Sequence, residues 1–149
     1  MKAQTIFNKV VKHLFAQGRG AEADDHSPAY RGTRGRTCAV GHLIPERLYD
    51  PLMEGKTYNQ LVIAAGRGNT MTARSLAGVA DKCAGIVQYL GEENTDLLTD
   101  LQILHDAMAL AFPKGWGKTK AGRATLRADL RAVAAKYSLK TTYRPELAQ

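Results

Sequence analysis

The sequence predicts a mainly α fold, a single-domain bundle of about five to six helices with a small inserted β-hairpin at about 29–40. Three observations carry this. The chain holds 22 Ala against 12 Val plus Ile, a balance that favours helices over sheet. Apolar residues recur at 3.6-residue spacing in the long segments of both halves. Two short extended runs flank the turn sequence Gly32-Thr33-Arg34-Gly35.

Taken in order, residues 3–17 read as a helix with Ala3, Phe7, Val10, Val11 and Leu14 on one face and Gly18 as its stop. Residues 19–28 are a polar loop. Ala29-Tyr30-Arg31 and Thr37-Cys38-Ala39-Val40 form the two arms of the hairpin. Strand alternation then points Tyr30, Cys38 and Val40 towards the helices and Arg31 and Thr37 outward. Pro45 and Pro51 divide the next stretch into turns and one short helical piece, and a short helix follows over 57–65. The irregular insertion as a whole spans about 28–56 of a domain covering 1–149.

In the second half, Asn69 or Thr70 caps a helix running to Leu90, with Gly91 as its stop. Its face is Leu76, Val79, Ala80, Cys83, Val87 and Leu90. Asn94 or Thr95 starts the next helix, whose face is Leu97, Leu101, Leu104, His105 and Met108. The last helix spans about 119–137, with Leu126, Leu130, Val133 and Tyr137 inward.

Composition excludes several classes. With 44% hydrophobic residues the chain is not a disordered segment. No apolar run approaches the roughly 20 residues of a membrane helix. The amphipathic N-terminus carries Lys9, Lys12 and His13 and lacks a signal-peptide core, so a cytoplasmic location in the host cell is expected. A net charge of +7 argues against a mimic of DNA, which would need a strongly acidic face, and favours nucleic acid or acidic protein surfaces as partners. Charge is also segregated: Glu92–Asp106 holds five acids and no base, while Lys114–Arg144 holds nine bases and one acid. Opposed helices could pair part of this.

Chemical motifs are sparse. Gly-Lys-Thr occurs at 55–57 and 117–119, but Asp50 and Phe112 stand where a phosphate loop needs its earlier glycine. Cys38 and His42 are candidates for a nucleophile and its base, in a field set by Arg34 and Arg36. The simpler reading makes Cys38 a small core hydrophobe. His105-Asp106 resembles a metal-hydrolase dyad, yet helix neighbours point about 100° apart, so the pair alone cannot chelate. A core-edge histidine bonded to backbone or carboxylate is the simpler reading. Asp24-Asp25-His26 fits a solvated loop as well as a ligand set. The two cysteines, Cys38 and Cys83, have no zinc-site spacing. No metal and no cofactor is implied.

The basic elements say more. Lys120, Arg123, Arg127 and Arg131 fall within a stripe about 80° wide on the last helix, beside its apolar face. Trp116 precedes them, and Tyr143 and Arg144 follow. Tyr30, Arg31, Arg34 and Arg36 add a second basic and aromatic group on the hairpin. Such residues suit phosphate contact and base stacking, and equally protein hot spots.

The stretch Tyr30-Arg31, Gly35-Arg36-Thr37-Cys38-Ala39-Val40-Gly41-His42-Leu43-Ile44-Pro45-Glu46, Tyr49-Asp50-Pro51 and Met53-Glu54-Gly55 resembles a group of small uncharacterised bacteriophage and prophage proteins. Leu101-Gln102-Ile103-Leu104-His105-Asp106 adds to the resemblance, which covers about a third of the chain. It implies a phage-related origin and a binding role rather than a named chemistry. The expected function is a non-enzymatic protein that engages a host nucleic-acid-handling protein or ribonucleoprotein complex, inhibition of a defence system such as CRISPR being one form of this. Direct DNA or RNA binding by the same basic residues is the first alternative, and a small Cys/His hydrolase the second. The oligomeric state is left open.

Overall fold

A computed structural model of the chain describes residues 1–141, so Tyr143 and Arg144 lie outside the described residues. The first apolar stripe forms α1 (Ala3–Gln17), which buries Ile6, Phe7, Val10, Val11 and Leu14. Gly18 ends it at φ 69°, donating its N–H to the Leu14 carbonyl. A loop leads to α2 (Ala39–Leu43), and 3-10 turns at Glu46–Leu48 and Pro51–Met53 follow. α3 (Tyr58–Ala65) begins at a capping box in which Thr57 and Gln60 bond each other's backbone N–H.

Next come α4 (Met71–Ser75), α5 (Ala80–Leu90), α6 (Thr95–Ala111) and α7 (Lys120–Lys136), the last capped by Thr119. α6 packs against α1, α2, α3 and α7, and α3 lies along α5. The buried faces of α5 and α6 include Cys83, Leu90, Leu97, Leu101, Leu104, His105 and Met108, as their 3.6-residue spacing requires. The segregated charges meet at one point, where Lys136 of α7 pairs with Asp100 of α6 at 2.7 Å. No helix among the described residues is long and apolar enough to cross a membrane.

Two expectations need correction. The inserted β-hairpin does not form: the described residues contain no strand, only isolated bridges at Glu22–Pro28 and Arg31–Thr37. The second arm fails because Cys38 acts as a helix cap. Its Sγ accepts the Gly41 N–H at 3.2 Å and its carbonyl accepts the His42 N–H at 3.0 Å, so Ala39 and Val40 wind into α2. Gly41 is required there, because a Cβ would lie 2.1 Å from the Tyr30 carbonyl oxygen. Tyr30, Cys38 and Val40 are buried, but Val40 is turned inward by a helix and not by alternation.

The second correction concerns 70–90, where one helix gives way to three pieces. Leu76 and Val79 leave helical geometry around Gly78, with a 3-10 turn at Ala77–Val79 between α4 and α5. The bend places both Leu76 and Val79 in the core. Gly78 at the bend has weak helix propensity.

Candidate functional site

The loop before α2 closes on itself through short-range bonds. Gly32 N–H donates to Arg36 O at 2.8 Å and Thr33 N–H to Glu22 O at 3.0 Å. Arg34 sits at the tip in the left-handed region (φ 58°) and is exposed. Arg31 does not point outward. Its guanidinium lies over the Tyr49 ring at 4.4 Å, bonds the Ile44 carbonyl at 3.1 Å and pairs with Glu46. Arg31 therefore clamps the loop onto the 44–49 segment and is a structural residue. The Glu54 carboxylate completes the clamp, accepting the N–H groups of Tyr30 at 2.7 Å and Arg31 at 3.2 Å.

Among the described residues, the aromatic members of the expected surface, Tyr30 and Trp116, are also inside. Trp116 is fully buried: its Nε1–H donates to the Leu14 carbonyl at 2.9 Å and its ring stands edge-on to His105. Tyr30 is buried with its hydroxyl on the Lys56 carbonyl. Neither can stack on a base or fill a partner's pocket. The apolar bodies of both rings drew them into the core, and both polar tips found backbone acceptors.

What remains outside is basic. Gly117 N–H donates to Gly18 O at 2.9 Å, joining the loop after α1 to the loop before α7. This brings Arg19, directly after Gly18, to the start of the α7 segment. Arg123 donates to the Gly117 carbonyl at 2.8 Å, and Arg19 packs beside Gly115. Slight desolvation and the nearby charges of Arg19 and Arg34 push the Arg36 guanidinium below its usual pKa, against Glu22. Arg19, Arg34 and Arg36 thus form one electrostatic cluster.

Lys120 and Arg131 are exposed on α7, and Arg127 is half-buried. Among the described residues, no carboxylate comes within ion-pair distance of Arg19, Arg34, Arg36, Lys120, Arg123, Arg127 or Arg131. Elsewhere Arg31, Arg67, Lys82 and Lys136 are all paired. Arg19 was not among the expected residues. Its only sequence signal is its place directly after the helix stop at Gly18.

Cys38 and His42 do not form a catalytic pair. Cys38 is fully buried, its sulfur spent as the α2 cap, and burial pushes its thiol up to about 12. The His42 ring instead stacks on His13, with centroids 4.0 Å apart and planes within 5°. Desolvation, then the neighbouring His13 and Lys9, lowers His42 to about 4. His13 donates from Nε2 to the Thr37 carbonyl at 2.8 Å, and desolvation lowers its pKa as well.

His105 is held at both nitrogens. The Ala21 N–H donates to Nε2 at 3.1 Å, which places the ring proton on Nδ1, and Nδ1 donates to Asp106 Oδ1 at 2.8 Å. Gln102, one turn before Asp106, donates to the same Oδ1 at 2.9 Å and accepts the Val40 N–H at 3.2 Å. Asp106 lines a cavity of about 340 Å³ between α6 and the 27–30 and 54–58 segments, with Cys38 also in its wall. Among the described residues no three His, Cys, Asp or Glu side chains converge as a metal site.

Comparison of the chain with protein-family models, curated proteins and solved structures returns no significant match.

Proposed function

We propose that this chain is a phage- or prophage-encoded non-enzymatic binding protein that engages a host nucleic-acid-handling protein or complex through its basic surface, inhibition of a defence system such as CRISPR being one form of that engagement. One observation carries the reading: Arg19, which packs beside Gly115 where α7 approaches, and Arg34 both lower the pKa of Arg36, and none of the three has a carboxylate within ion-pair distance among the described residues. Like charges placed near one another repel, here partly offset by Glu22, and an anionic partner relieves the repulsion. The resemblance of the 30–55 segment to phage proteins supports the origin. Burial of the Cys38 thiol removes the support a thiol hydrolase would need.

Direct nucleic-acid binding is the second reading, because the same guanidinium groups suit phosphates. It is weakened by the loss of Tyr30 and Trp116 to the core, which leaves the expected surface no stacking platform among the described residues. Fluorescence anisotropy with random duplex DNA and single-stranded RNA separates the two. The first reading predicts only non-specific affinity, with Kd of about 10⁻⁴ to 10⁻⁶ M. Markedly tighter binding, lost steeply between about 50 and 200 mM salt, would favour the second.

A further inference from the structure

The cavity beside α6 is separate from the basic surface, and its chemistry is of the opposite sign. Its walls are mostly apolar, with Ala29, Leu98, Ile103 and the rings of Tyr30 and Tyr58 among them. Its volume of about 340 Å³ is that of a small ligand pocket, for which about 300 Å³ is the usual lower bound. The polar groups in the wall decide what could enter.

Several donors there are already used, and Lys56 is the one cation in the wall. Tyr30 donates to the Lys56 carbonyl, Tyr58 to the Gly91 carbonyl at 2.9 Å, and Gln102 to Asp106 at 2.9 Å. The acceptors are unevenly used. Glu54 takes two backbone N–H groups and the Tyr49 hydroxyl across its two oxygens. Asp106 takes both of its bonds on Oδ1, so Oδ2 has no partner among the described residues. His105 and Gln102 fix the orientation of that carboxylate. An oriented carboxylate whose side chain is 36% exposed, at the wall of a mostly apolar cavity, suits a donor that carries positive charge.

We propose that this cavity binds a small organic cation: an apolar body ending in an ammonium or guanidinium group, which donates to Asp106 Oδ2 while the body fills the space between α6 and the 27–30 and 54–58 segments. The cation can arrive as a free amine or as a basic side chain of a peptide. In both cases the recognition is one charge-assisted hydrogen bond plus apolar burial.

The test is titration of the whole protein, followed by NMR or calorimetry, with three probes of one shape: 2-phenylethylamine, neutral 2-phenylethanol and anionic 3-phenylpropanoate. The amine is expected to bind at least tenfold more tightly than the alcohol, and the anion most weakly. Asp106→Asn retains the Oδ1 acceptor for His105 and Gln102, so the fold is expected to persist, with Trp116 emission as its check. That variant should weaken the amine at least tenfold and leave the alcohol within twofold. Thr99→Phe, which fills the cavity from the half-buried side of α6, should abolish amine binding. The peptide acetyl-Phe-Arg-amide in place of the amine assigns the source: tighter, Asp106-dependent binding of the peptide points to a polypeptide. Equal affinity for amine and alcohol, or an amine indifferent to Asp106→Asn, would overturn the proposal. So would preference for the anion, which would hand recognition to Lys56, the one cation in the wall, or no binding of either cationic probe.

Discussion

Gly117 donates its backbone N–H to the Gly18 carbonyl at 2.9 Å, and through that bond the loops flanking α1 and α7 become one surface. The approach is close: a Cβ on Gly117 would lie 3.0 Å from the Gly18 Cα. Gly117→Ala therefore has to separate the loops by a few tenths of an ångström. A loss of about 1 kcal/mol is expected, read as a lowered Tm. An unchanged Tm would mean the junction is looser than its geometry.

Trp116 is the chain's one tryptophan and lies in the core, so its emission should be blue-shifted in the native protein and move red on unfolding. Trp116→Ala should cost about 3–5 kcal/mol. Trp116→Phe should cost less, because the Leu14 carbonyl keeps the Gly18 N–H when the indole donor is gone. Denaturant melts of the two variants give the ranking, and equal costs would contradict the seat described for the indole.

Cys38 should be inert to thiol reagents at neutral pH. Burial raises its thiol to about 12 and leaves no thiolate to react. Labelling should appear only on unfolding. Cys38→Ala removes both buried volume and the α2 cap, with an expected cost of about 2 kcal/mol. Fast native-state labelling at Cys38 would reopen the hydrolase reading.

The stacked His13 and His42 make stability depend on pH. Both folded pKa values lie below that of a free imidazole, His42 at about 4. The unfolded chain then binds more protons than the folded one between about pH 6.5 and 4. Stability is full above that window and falls as pH drops through it. NMR titration should give His42 a midpoint well below 6, and His13→Ala should raise it by removing part of the desolvation and the neighbouring charge. A midpoint near 6.5 in the unaltered protein would contradict the stack.

Much of the helical frame was legible in the sequence. Thr57 and Thr119 cap where local pattern places caps, Gly18 and Gly91 stop their helices, and the inward face of α6 follows from spacing, whereas on α5 Ile86 is buried and the expected Val87 only partly so. His105 could be read as a bonded core-edge residue because it falls on the apolar face. Thr37–Val40 misled because four residues carry too little periodicity to separate a strand arm from a capped helix start. The fates of Arg31 and Trp116 depended on partners distant in sequence: Ile44, Glu46 and Tyr49 for one, Leu14 for the other. Gln102 and Asp106 stood at i and i+4, a pairing that spacing alone could have flagged. Glu54 beneath Tyr30 and Arg31 had no local signal.

The proposed role of the basic surface is tested most directly by comparing the unaltered protein with the Arg19→Ala, Arg34→Ala, Arg36→Ala variant in co-purification from nuclease-treated bacterial host lysate. The three side chains carry no ion pair among the described residues, so each change should alter stability by no more than about 0.5 kcal/mol. Interface anchors of this kind cost about 2 kcal/mol or more each when truncated. The account predicts that a nucleic-acid-handling complex is recovered with the unaltered protein, survives nuclease, and falls at least tenfold with the folded variant. Equal recovery with the variant, or recovery that vanishes on nuclease treatment, would contradict it.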